Sequence, residues 1–225
     1  MADITFHSME ESAYLWTVMH AADEKGVPYD LVPLTYRSPE HLKLHPFGKM
    51  PVLQHGDFFL YESVAIAHYI DRAFDGPSLQ PPDARGQANV LRWVSIVNAY
   101  VFPVMNRFMK ERLVRPLFGA KPDLDFIASA RDPLLLQMGL IDEAVTKRQF
   151  LVGDAISVAD SFLLPHLLFF GRTPEGAALL ARAAGASAWL DRMTSRKSYV
   201  GGRMSRAYDA FHQLPAPAEL AWTVD

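Results

Sequence analysis

Cysteine is absent from the 225 residues of the chain. Its absence excludes disulfide bonds, thiolate metal sites and a cysteine nucleophile. A chain of this length buries enough surface to fold without such cross-links. An intracellular compartment is the simplest fit, because disulfides are rare where thiols are kept reduced. We therefore expect a cytoplasmic protein whose chemistry depends on other side chains.

Long apolar runs and an excess of positive charge are absent as well. The longest apolar stretch, Phe162 to Phe170, contains a proline and a histidine and is far shorter than the ~20 residues of a membrane span. The formal net charge is -3 and like charges do not cluster, so neither DNA nor RNA is an expected partner. Acidic residues stand near the N-terminus, where a signal peptide needs basic ones. These features predict a protein without membrane or nucleic-acid partners.

The chain changes character near residue 80. Up to residue 74, short β-rich runs alternate with helical runs, whereas helical periodicity continues from Asp83 onward. The segment between them is rich in proline, which cannot continue a helix. We predict an α/β domain over residues 1–76, a linker over 77–82 and an all-helical domain over 83–225. Residues 1–80 carry 5 basic and 11 acidic side chains, whereas the rest carry 17 and 14, so the halves differ in the sign of their charge.

The first half predicts elements in the order β-α-β, an irregular segment, then β-β-α. The predicted strands cover residues 4–6, 29–32, 52–54 and 58–61, and the predicted helices begin near Ala13 and at Ser63. The first two strands can pair in parallel through a right-handed crossover, and the last two form an antiparallel hairpin. This mixed sheet is the thioredoxin-like arrangement. The predicted fold class is a thioredoxin-like α/β domain followed by an all-α helical domain.

Three segments together resemble a known family. They are His45–Leu53 (HPFGKMPVL), Leu60–Ile66 (LYESVAI) and Ser157–Asp160 (SVAD). Their order and spacing on a two-domain chain are similar to those of the cytosolic glutathione transferases, in particular bacterial, serine-type members of the theta, phi and zeta kind. The resemblance covers nearly the whole chain. It implies glutathione as a co-substrate and no metal.

The resemblance assigns glutathione contacts to Lys49, Met50, Pro51, Glu62 and Ser63. A cis bond before Pro51 would let the backbone of Met50 pair with the cysteinyl backbone of glutathione like an added strand. Ser63 would cap a helix and bind the γ-glutamyl carboxylate, while Glu62 faces the ammonium group. Lys49 reaches the glycyl carboxylate or is simply a surface lysine. The residues alone also allow a plain strand start at Pro51 and an ordinary helix cap at Ser63.

The residue that activates the thiol is sought near the first strand. Tyrosine-type members of the family carry a tyrosine at the end of that strand, where this sequence has Phe6 and His7. Serine-type members carry a serine just before the first helix, which corresponds to Ser12. We predict Ser12 as the catalytic residue, with Ser8 and Tyr14 as rivals. Ser12 is also a candidate helix cap, and the two roles are compatible.

A hydrophobic stripe in the second half predicts a long helix with a buried face. Valines recur at spacings of three and four from Val90 to Val101, and the stripe continues past Pro103, which should kink the helix without ending it. The resemblance places an acceptor-substrate pocket against this domain. Candidate pocket residues are Tyr14, Tyr100, Met105, Phe108 and Arg112. The alternative is that such a stripe is plain core.

Two further motifs are given structural or no roles. Ser157 and Asp160 have the spacing of a capping box, which satisfies backbone donors at a helix start. His41 and His45 are four residues apart but lack a convincing third ligand, so we expect no metal site among the eight histidines.

These observations predict a glutathione transferase that ionises the thiol of glutathione and adds the sulfur to a small, hydrophobic electrophile. A glutathione-dependent isomerase of the zeta type is the first alternative, although Tyr14 replaces the cysteine of that class. A non-catalytic binding protein with the transferase fold is the second. By resemblance the protein is a homodimer, with Phe47 as a candidate interface aromatic. The acceptor substrate has no readable code in the sequence.

Overall fold

The computed structural model describes residues 4–200 and 203–212. Residues 1–3, 201–202 and 213–225, which the predicted domain ranges include, lie outside the described residues. The first half of the chain contains a four-stranded sheet in the order β2-β1-β3-β4. Its strands are β1 (Ile4–Ser8), β2 (Tyr29–Pro33), β3 (Val52–His55) and β4 (Phe58–Tyr61). β1 and β2 run parallel and the other pairs antiparallel, so the predicted thioredoxin-like sheet is confirmed.

Three helices accompany the sheet: α1 (Ala13–Lys25), α2 (Pro39–Leu44) and α3 (Ser63–Ala73). Helix α1 ends at Gly26, whose φ of 74° lies in the left-handed region that favours glycine. Helix α2 lies in the segment that was expected to be irregular. A helix starts there because the Ser38 hydroxyl accepts from the N–H of His41 and Pro39 fits the first helical turn.

The second half of the chain is helical. Its helices are α4 (Ala84–Ile96), α5 (Phe102–Met109), α6 (Arg115–Leu117), α7 (Leu124–Ser129), α8 (Arg131–Thr146), α9 (Val158–Phe170), α10 (Pro174–Arg182), α11 (Ala184–Thr194) and α12 (Arg203–His212). Two π-helical segments, Val97–Val101 and Lys110–Val114, join α4, α5 and α6 into one helical run. The predicted continuation past Pro103 is therefore confirmed. No helix among the described residues is long and apolar enough to cross a membrane.

Helix α1 connects the two halves because it packs against α3 on one side and α9 on the other. The Trp16 ring lies 4.4 Å from that of Phe169. Nδ1 of His20 is 2.9 Å from Oγ of Ser161, and Arg196 donates to Glu24 through two nitrogens. These contacts fix the position of α1, and with it the residues that precede it, against the helical domain.

The capping box at the start of α9 is confirmed. Asp160 is fully buried, and its Oδ2 accepts from the backbone N–H of Ser157 at 3.0 Å and from the Ser157 hydroxyl at 2.9 Å. Its Oδ1 accepts from the N–H of Leu151 and from the indole N–H of Trp189, both at 3.0 Å. One carboxylate thus ties together α9, the preceding loop and α11.

Candidate functional site

A cavity of about 560 Å³ is lined by residues from both halves of the chain. All five residues predicted to bind glutathione line it. The other lining residues are Tyr14, His45, Phe47, Val64, Asn98 and Phe102. The cavity therefore brings the motif after α2, the start of α3 and the helical domain to one place.

Met50 and Pro51 both line this cavity. The peptide bond between the two residues is cis, as the resemblance implies. Pairing between β1 and β3 begins only at Val52, opposite His7. Among the described residues, no group forms a hydrogen bond with the backbone N–H or C=O of Met50. These two groups remain available to a ligand that lies alongside in an extended conformation.

Helix α3 begins at the cavity without a side-chain cap. Ser63 is the first helical residue and Glu62 occupies the cap position, so the predicted cap at Ser63 is wrong. Glu62 has a φ of 72°, a conformation that residues other than glycine rarely adopt and that gathers at functional sites. The first N–H groups of α3 carry the positive end of the helix dipole and lack partners within the helix. This end of α3 is suited to an anion, and the Glu62 carboxylate beside it to a cation.

Two histidines support the segment that carries Lys49. His41 is buried, its Nδ1 accepts from the N–H of Arg37 at 3.0 Å, and its Nε2 is 2.8 Å from the carbonyl oxygen of Lys49. His45 accepts from the N–H of Phe47 at 3.3 Å through Nδ1. Both rings therefore hold backbone of the loop.

His45 also belongs to the cavity, which the sequence did not predict. Because its Nδ1 is an acceptor, the neutral ring carries its proton on Nε2, and this atom lies 3.9 Å from Oε1 of Glu62. Burial lowers the pKa of His45, while the charge of Glu62 acts in the opposite direction. The ring therefore offers a neutral N–H donor next to the Glu62 carboxylate. His45 is the first residue of the His45–Leu53 motif, so its place in the cavity could have been suspected. A histidine at that position is equally typical of a packing role.

The three candidate thiol-activating hydroxyls differ in whether their proton is already donated to another group of the protein. Ser12 is the cap of α1 and accepts from the N–H of Leu15 at 3.3 Å, so its predicted capping role is confirmed. Within the described residues, no group accepts the Ser12 proton. Ser8 is buried and donates to the carbonyl of Met9 at 3.1 Å. Tyr14 donates to Oδ1 of Asn98 at 3.1 Å.

Ser12 is not among the residues that line the cavity, but it precedes by two positions Tyr14, which does. Burial raises the pKa of the Tyr14 hydroxyl, and the nearby charge of Glu62 raises it further. Tyr14 is thus held as a neutral donor. The acidic residues of the loop before Ser12, Glu10 and Glu11, are exposed.

The helical wall of the cavity differs from the predicted one. Met105 and Phe108 are buried in the core, and Arg112 is buried in an ion pair with Glu175, so these three do not line the cavity. Tyr100 is 63% exposed and also lies elsewhere. The stripe was wrongly assigned because a core face and a pocket face have the same periodicity. Asn98 and Phe102, from the first π-helical segment and the start of α5, take their place.

Comparison with known proteins gives a consistent match. Residues 6–78 match the family model described as glutathione S-transferase, N-terminal domain, and residues 93–197 match that of the C-terminal domain. A probable glutathione S-transferase GSTF2 of Oryza sativa subsp. japonica is 32% identical over 83% of this chain and 91% of its own length. Glutathione S-transferase 3 of Zea mays is 28% identical over 88% of this chain and 92% of its own length. A solved structure of maize glutathione S-transferase I, in complex with an atrazine glutathione conjugate, is 26% identical and superposes with a TM-score of 0.82 over 94% of this chain and 99% of that one.

Proposed function

The chain belongs to the glutathione S-transferase family and conjugates glutathione to small electrophiles, and we propose that the cavity between its two halves is where this reaction occurs. The observation that carries the proposal is the uncapped start of α3 beside the Glu62 carboxylate, in a cavity that Met50 also lines. Glutathione has a carboxylate, an ammonium group and an extended peptide backbone, and each of these has a complementary group here.

The γ-glutamyl end of glutathione binds at the start of α3. Its carboxylate accepts from the first N–H groups of the helix, and the Ser63 hydroxyl adds a donor. Its ammonium group lies against Glu62. The side chain of Glu62 is 64% exposed, so it is free to adjust to the ligand. His45 donates through Nε2 to a carboxylate oxygen of Glu62 or of the ligand.

The rest of the tripeptide extends along the Met50–Pro51 segment. The cysteinyl backbone pairs with the N–H and C=O of Met50, in the manner of an added strand. Lys49 provides a cation for the glycyl carboxylate at the other end. This placement uses both termini of glutathione as anchors and leaves the thiol between them.

Ser12 stabilises the thiolate. A free thiol has a pKa of about 8.5, so only a few per cent is ionised at pH 7, and lowering the pKa by two units requires about 2.7 kcal/mol. A hydrogen bond to a charged acceptor contributes about 1.5–3 kcal/mol, and a helix N-terminus about 0.3–1 kcal/mol. Ser12 stands at the N-terminus of α1 with an uncommitted proton, so both contributions are available at one residue.

The chemical step is attack of the thiolate on an electrophile bound against Phe102 and Asn98. A carbon–sulfur bond forms, and the displaced electron pair leaves with a leaving group or moves onto the acceptor. Three of the residues that line the cavity, Phe47, Val64 and Phe102, are apolar, which favours small hydrophobic acceptors.

The binding mode is tested by calorimetry with S-methylglutathione, which cannot react. Glu62→Gln removes the counter-charge of the ammonium group and should weaken binding about 10-fold. Glu40→Gln, an exposed acid at the start of α2, is the matched control and should leave the affinity unchanged. Equal affinities for Glu62→Gln and the parent would reject this binding mode. Conjugation assays with aryl halides, epoxides and enones then follow the reaction itself.

Several finer features belong to the same proposal. Ser12 makes the protein a serine-type transferase, and residues 1–76 and 83–225 divide into a glutathione-binding domain and an acceptor-binding domain joined by residues 77–82. The protein acts as a homodimer, which is supported by the 68% exposure of Phe47. It acts in the cytoplasm, where glutathione keeps thiols reduced.

A further inference from the structure

His45 is a buried titratable residue next to an exposed carboxylate in the cavity. Its side chain is 2% exposed, whereas that of Glu62 is 64% exposed. The ring of His45 lies 4.6 Å from the ring of Tyr61 and 6.2 Å from that of Phe47. The imidazole is therefore held in place by packing, while the carboxylate beside it is free to turn towards the ring or towards a ligand.

The two nitrogens of the neutral ring make different contacts. Nδ1 accepts from the N–H of Phe47 at 3.3 Å, in the segment that also carries Lys49 and Met50. Nε2 carries the proton and lies 3.9 Å from Oε1 of Glu62. This donor is uncharged, so it attracts Glu62 without neutralising it. Neutral His45 therefore orients a carboxylate whose charge stays available to an ammonium group in the cavity.

A second proton on the ring changes both contacts. Both nitrogens of an imidazolium are donors, so Nδ1 can no longer accept from the N–H of Phe47. The segment that leads to Met50 then loses this hydrogen bond. The imidazolium also pairs with Glu62, because opposite charges attract at such a distance. The imidazolium and the ammonium group of glutathione then compete for one carboxylate.

The other groups around His45 do not remove this competition. Burial lowers the pKa of His45, the charge of Glu62 raises it, and His41 and Lys49 lower it. The ring of His41 lies 6.4 Å from that of His45, and Tyr61 contributes an uncharged ring. An ammonium group that binds at Glu62 adds a further positive charge, which favours the neutral form of His45.

We infer that His45 is a positioning residue that makes glutathione binding depend on pH: its neutral form orients Glu62 for the ammonium group, and its protonated form occupies Glu62 itself. This inference rests on the proposed function, because it describes the regulation of the same site. By linkage, the proton weakens glutathione binding by the same factor by which glutathione weakens binding of the proton. The affinity is fully present above the pKa of His45 in the free protein and falls as the pH drops through it, by up to about 10-fold per pH unit.

The test is calorimetry between pH 7.5 and 4.5 with S-methylglutathione, which has no thiol to titrate. His45→Asn keeps an oxygen that can accept from Phe47, but it has neither the Nε2 donor nor a group that titrates. It should weaken binding at pH 7.5 about 2- to 10-fold. On acidification, its loss of affinity should be about 10-fold smaller than that of the parent. His68→Asn, at an exposed histidine of α3 outside the lining of this cavity, is the matched control and should follow the parent.

Proton release gives a readout that a purely structural role of His45 would not produce. Near the pKa of His45, the parent should release up to about one proton for each S-methylglutathione that binds. The number follows from the binding enthalpy in buffers of different ionisation enthalpy. His45→Asn should abolish most of this release. Glu62→Gln should reduce it as well, because an amide does not form an ion pair with the imidazolium, and this variant leaves the buried ring in place.

The outcomes separate this inference from the proposed function. A parent protein that does not bind S-methylglutathione at pH 7.5 overturns the proposed binding mode and the inference with it. Binding at pH 7.5 whose pH dependence and proton release are the same in His45→Asn overturns the inference alone. If His45→Asn does not fold, equal proton release by Glu62→Gln and the parent overturns it.

Discussion

The hydroxyl groups near the start of α1 differ in whether they already donate a hydrogen bond within the protein. A thiolate accepts hydrogen bonds and donates none, so its stabilising partner must supply a proton. Ser8 and Tyr14 already donate to oxygens of the protein. Ser12 caps α1 through a lone pair on its oxygen, so capping leaves its proton unused. Capping of α1 and stabilisation of a thiolate are therefore compatible functions of one hydroxyl.

Ser12→Ala should return the pKa of bound glutathione towards its solution value while most of the glutathione affinity is retained. The interactions at Glu62, Ser63 and Met50 lie away from the sulfur. A lost hydrogen bond of about 1.5–3 kcal/mol lowers turnover near neutral pH roughly 10- to 150-fold, and the decrease should shrink at high pH. Thiolate absorbance, titrated with glutathione saturating, measures the pKa without any acceptor substrate.

Loss of the cap is a separate effect of the same substitution and needs its own control. Ser12→Ala costs about 1 kcal/mol of stability, whereas glycine at a cap costs only a few tenths. Ser12→Gly should therefore show the same thiol pKa as Ser12→Ala with a higher melting temperature. If the titration curve of both variants matches that of the parent, Ser12 has no role at the thiol.

Residues that line the cavity were predictable from the sequence where they belong to contiguous motifs. Met50, Pro51, Glu62 and Ser63 lie in such motifs and all line the cavity. Asn98 carries no such signal, because its position depends on a π-helical segment and on a hydroxyl 84 positions earlier in the chain. The cap at Ser63 was wrong because an unusual φ at Glu62 starts the helix one residue earlier.

At the scale of elements, the Asp160 carboxylate accepts more hydrogen bonds than a capping box requires. Asp160 accepts hydrogen bonds from the backbone of Ser157 and Leu151, from the Ser157 hydroxyl and from the Trp189 indole. Helix α9 therefore starts at a point that also determines where α11 packs. Trp189 is fully buried, so this connection lies inside the helical core.

Asp160→Ala should lower the free energy of unfolding by about 3–5 kcal/mol. A simple lost cap would cost about 1 kcal/mol, but four buried donors here lose their acceptor and each unsatisfied group adds to the cost. Asp154→Ala, an exposed acid in the loop before α9, should change stability by less than about 0.5 kcal/mol. Chemical denaturation measures both, and similar values for the two variants would contradict this role of Asp160.

The order of the elements was predictable from periodicity, but the π-helical segments and the short helix α2 were not. The parallel pair, the hairpin and the helical half are all where turn residues and alternating patterns predicted them. The π-helical segments were missed because a stripe at spacings of three and four averages over local changes of pitch. Helix α2 was missed because its six residues are too few to show a period.

At the scale of the whole molecule, an exposed aromatic beside the cavity supports the proposed dimer. Phe47 is 68% exposed, and the two halves of the chain differ in the sign of their charge, so two copies in opposite orientation across a two-fold axis would be complementary. Light scattering at micromolar concentration should give about twice 25.2 kDa. A mass near that of one chain would reject the dimer.

Phe47→Asp should shift the dimer towards single chains. Burying a phenylalanine stabilises an interface by about 1.5–3 kcal/mol, so the dissociation constant should rise at least 10-fold. Phe118→Asp is the matched control, because Phe118 is 82% exposed but lies on the helical half and away from the cavity lining. Dissociation caused equally by both substitutions would show that Phe47 is not specific to the interface.

Two buried histidines link the packing between the domains to pH. His20 of α1 contacts Ser161 of α9, and burial lowers the pKa of His20 to about 4, with Glu24 raising it and Arg196 lowering it. His166 packs against the rings of Tyr14 and Phe102, and burial lowers its pKa to about 3. An unfolded histidine has a pKa of about 6.5. The stability that the two neutral, buried histidines contribute is therefore fully present above pH 6.5. It is lost as the pH falls from 6.5 towards their folded-state pKa values, because the unfolded chain then binds more protons than the folded one.

His166→Leu should reduce the loss of stability in acid. Between pH 7.5 and 4.5 the parent should lose about 3 kcal/mol more of its unfolding free energy than the variant, because two pH units below 6.5 correspond to about 2.7 kcal/mol for one such histidine. At pH 7.5 the substitution costs little in hydrogen bonding, since no described residue partners Nε2 of His166. His68→Leu, at an exposed histidine of α3, should leave the pH dependence of the parent intact. Urea titrations of the three proteins at both pH values measure these differences, and parallel losses in all three would show that His166 is not responsible.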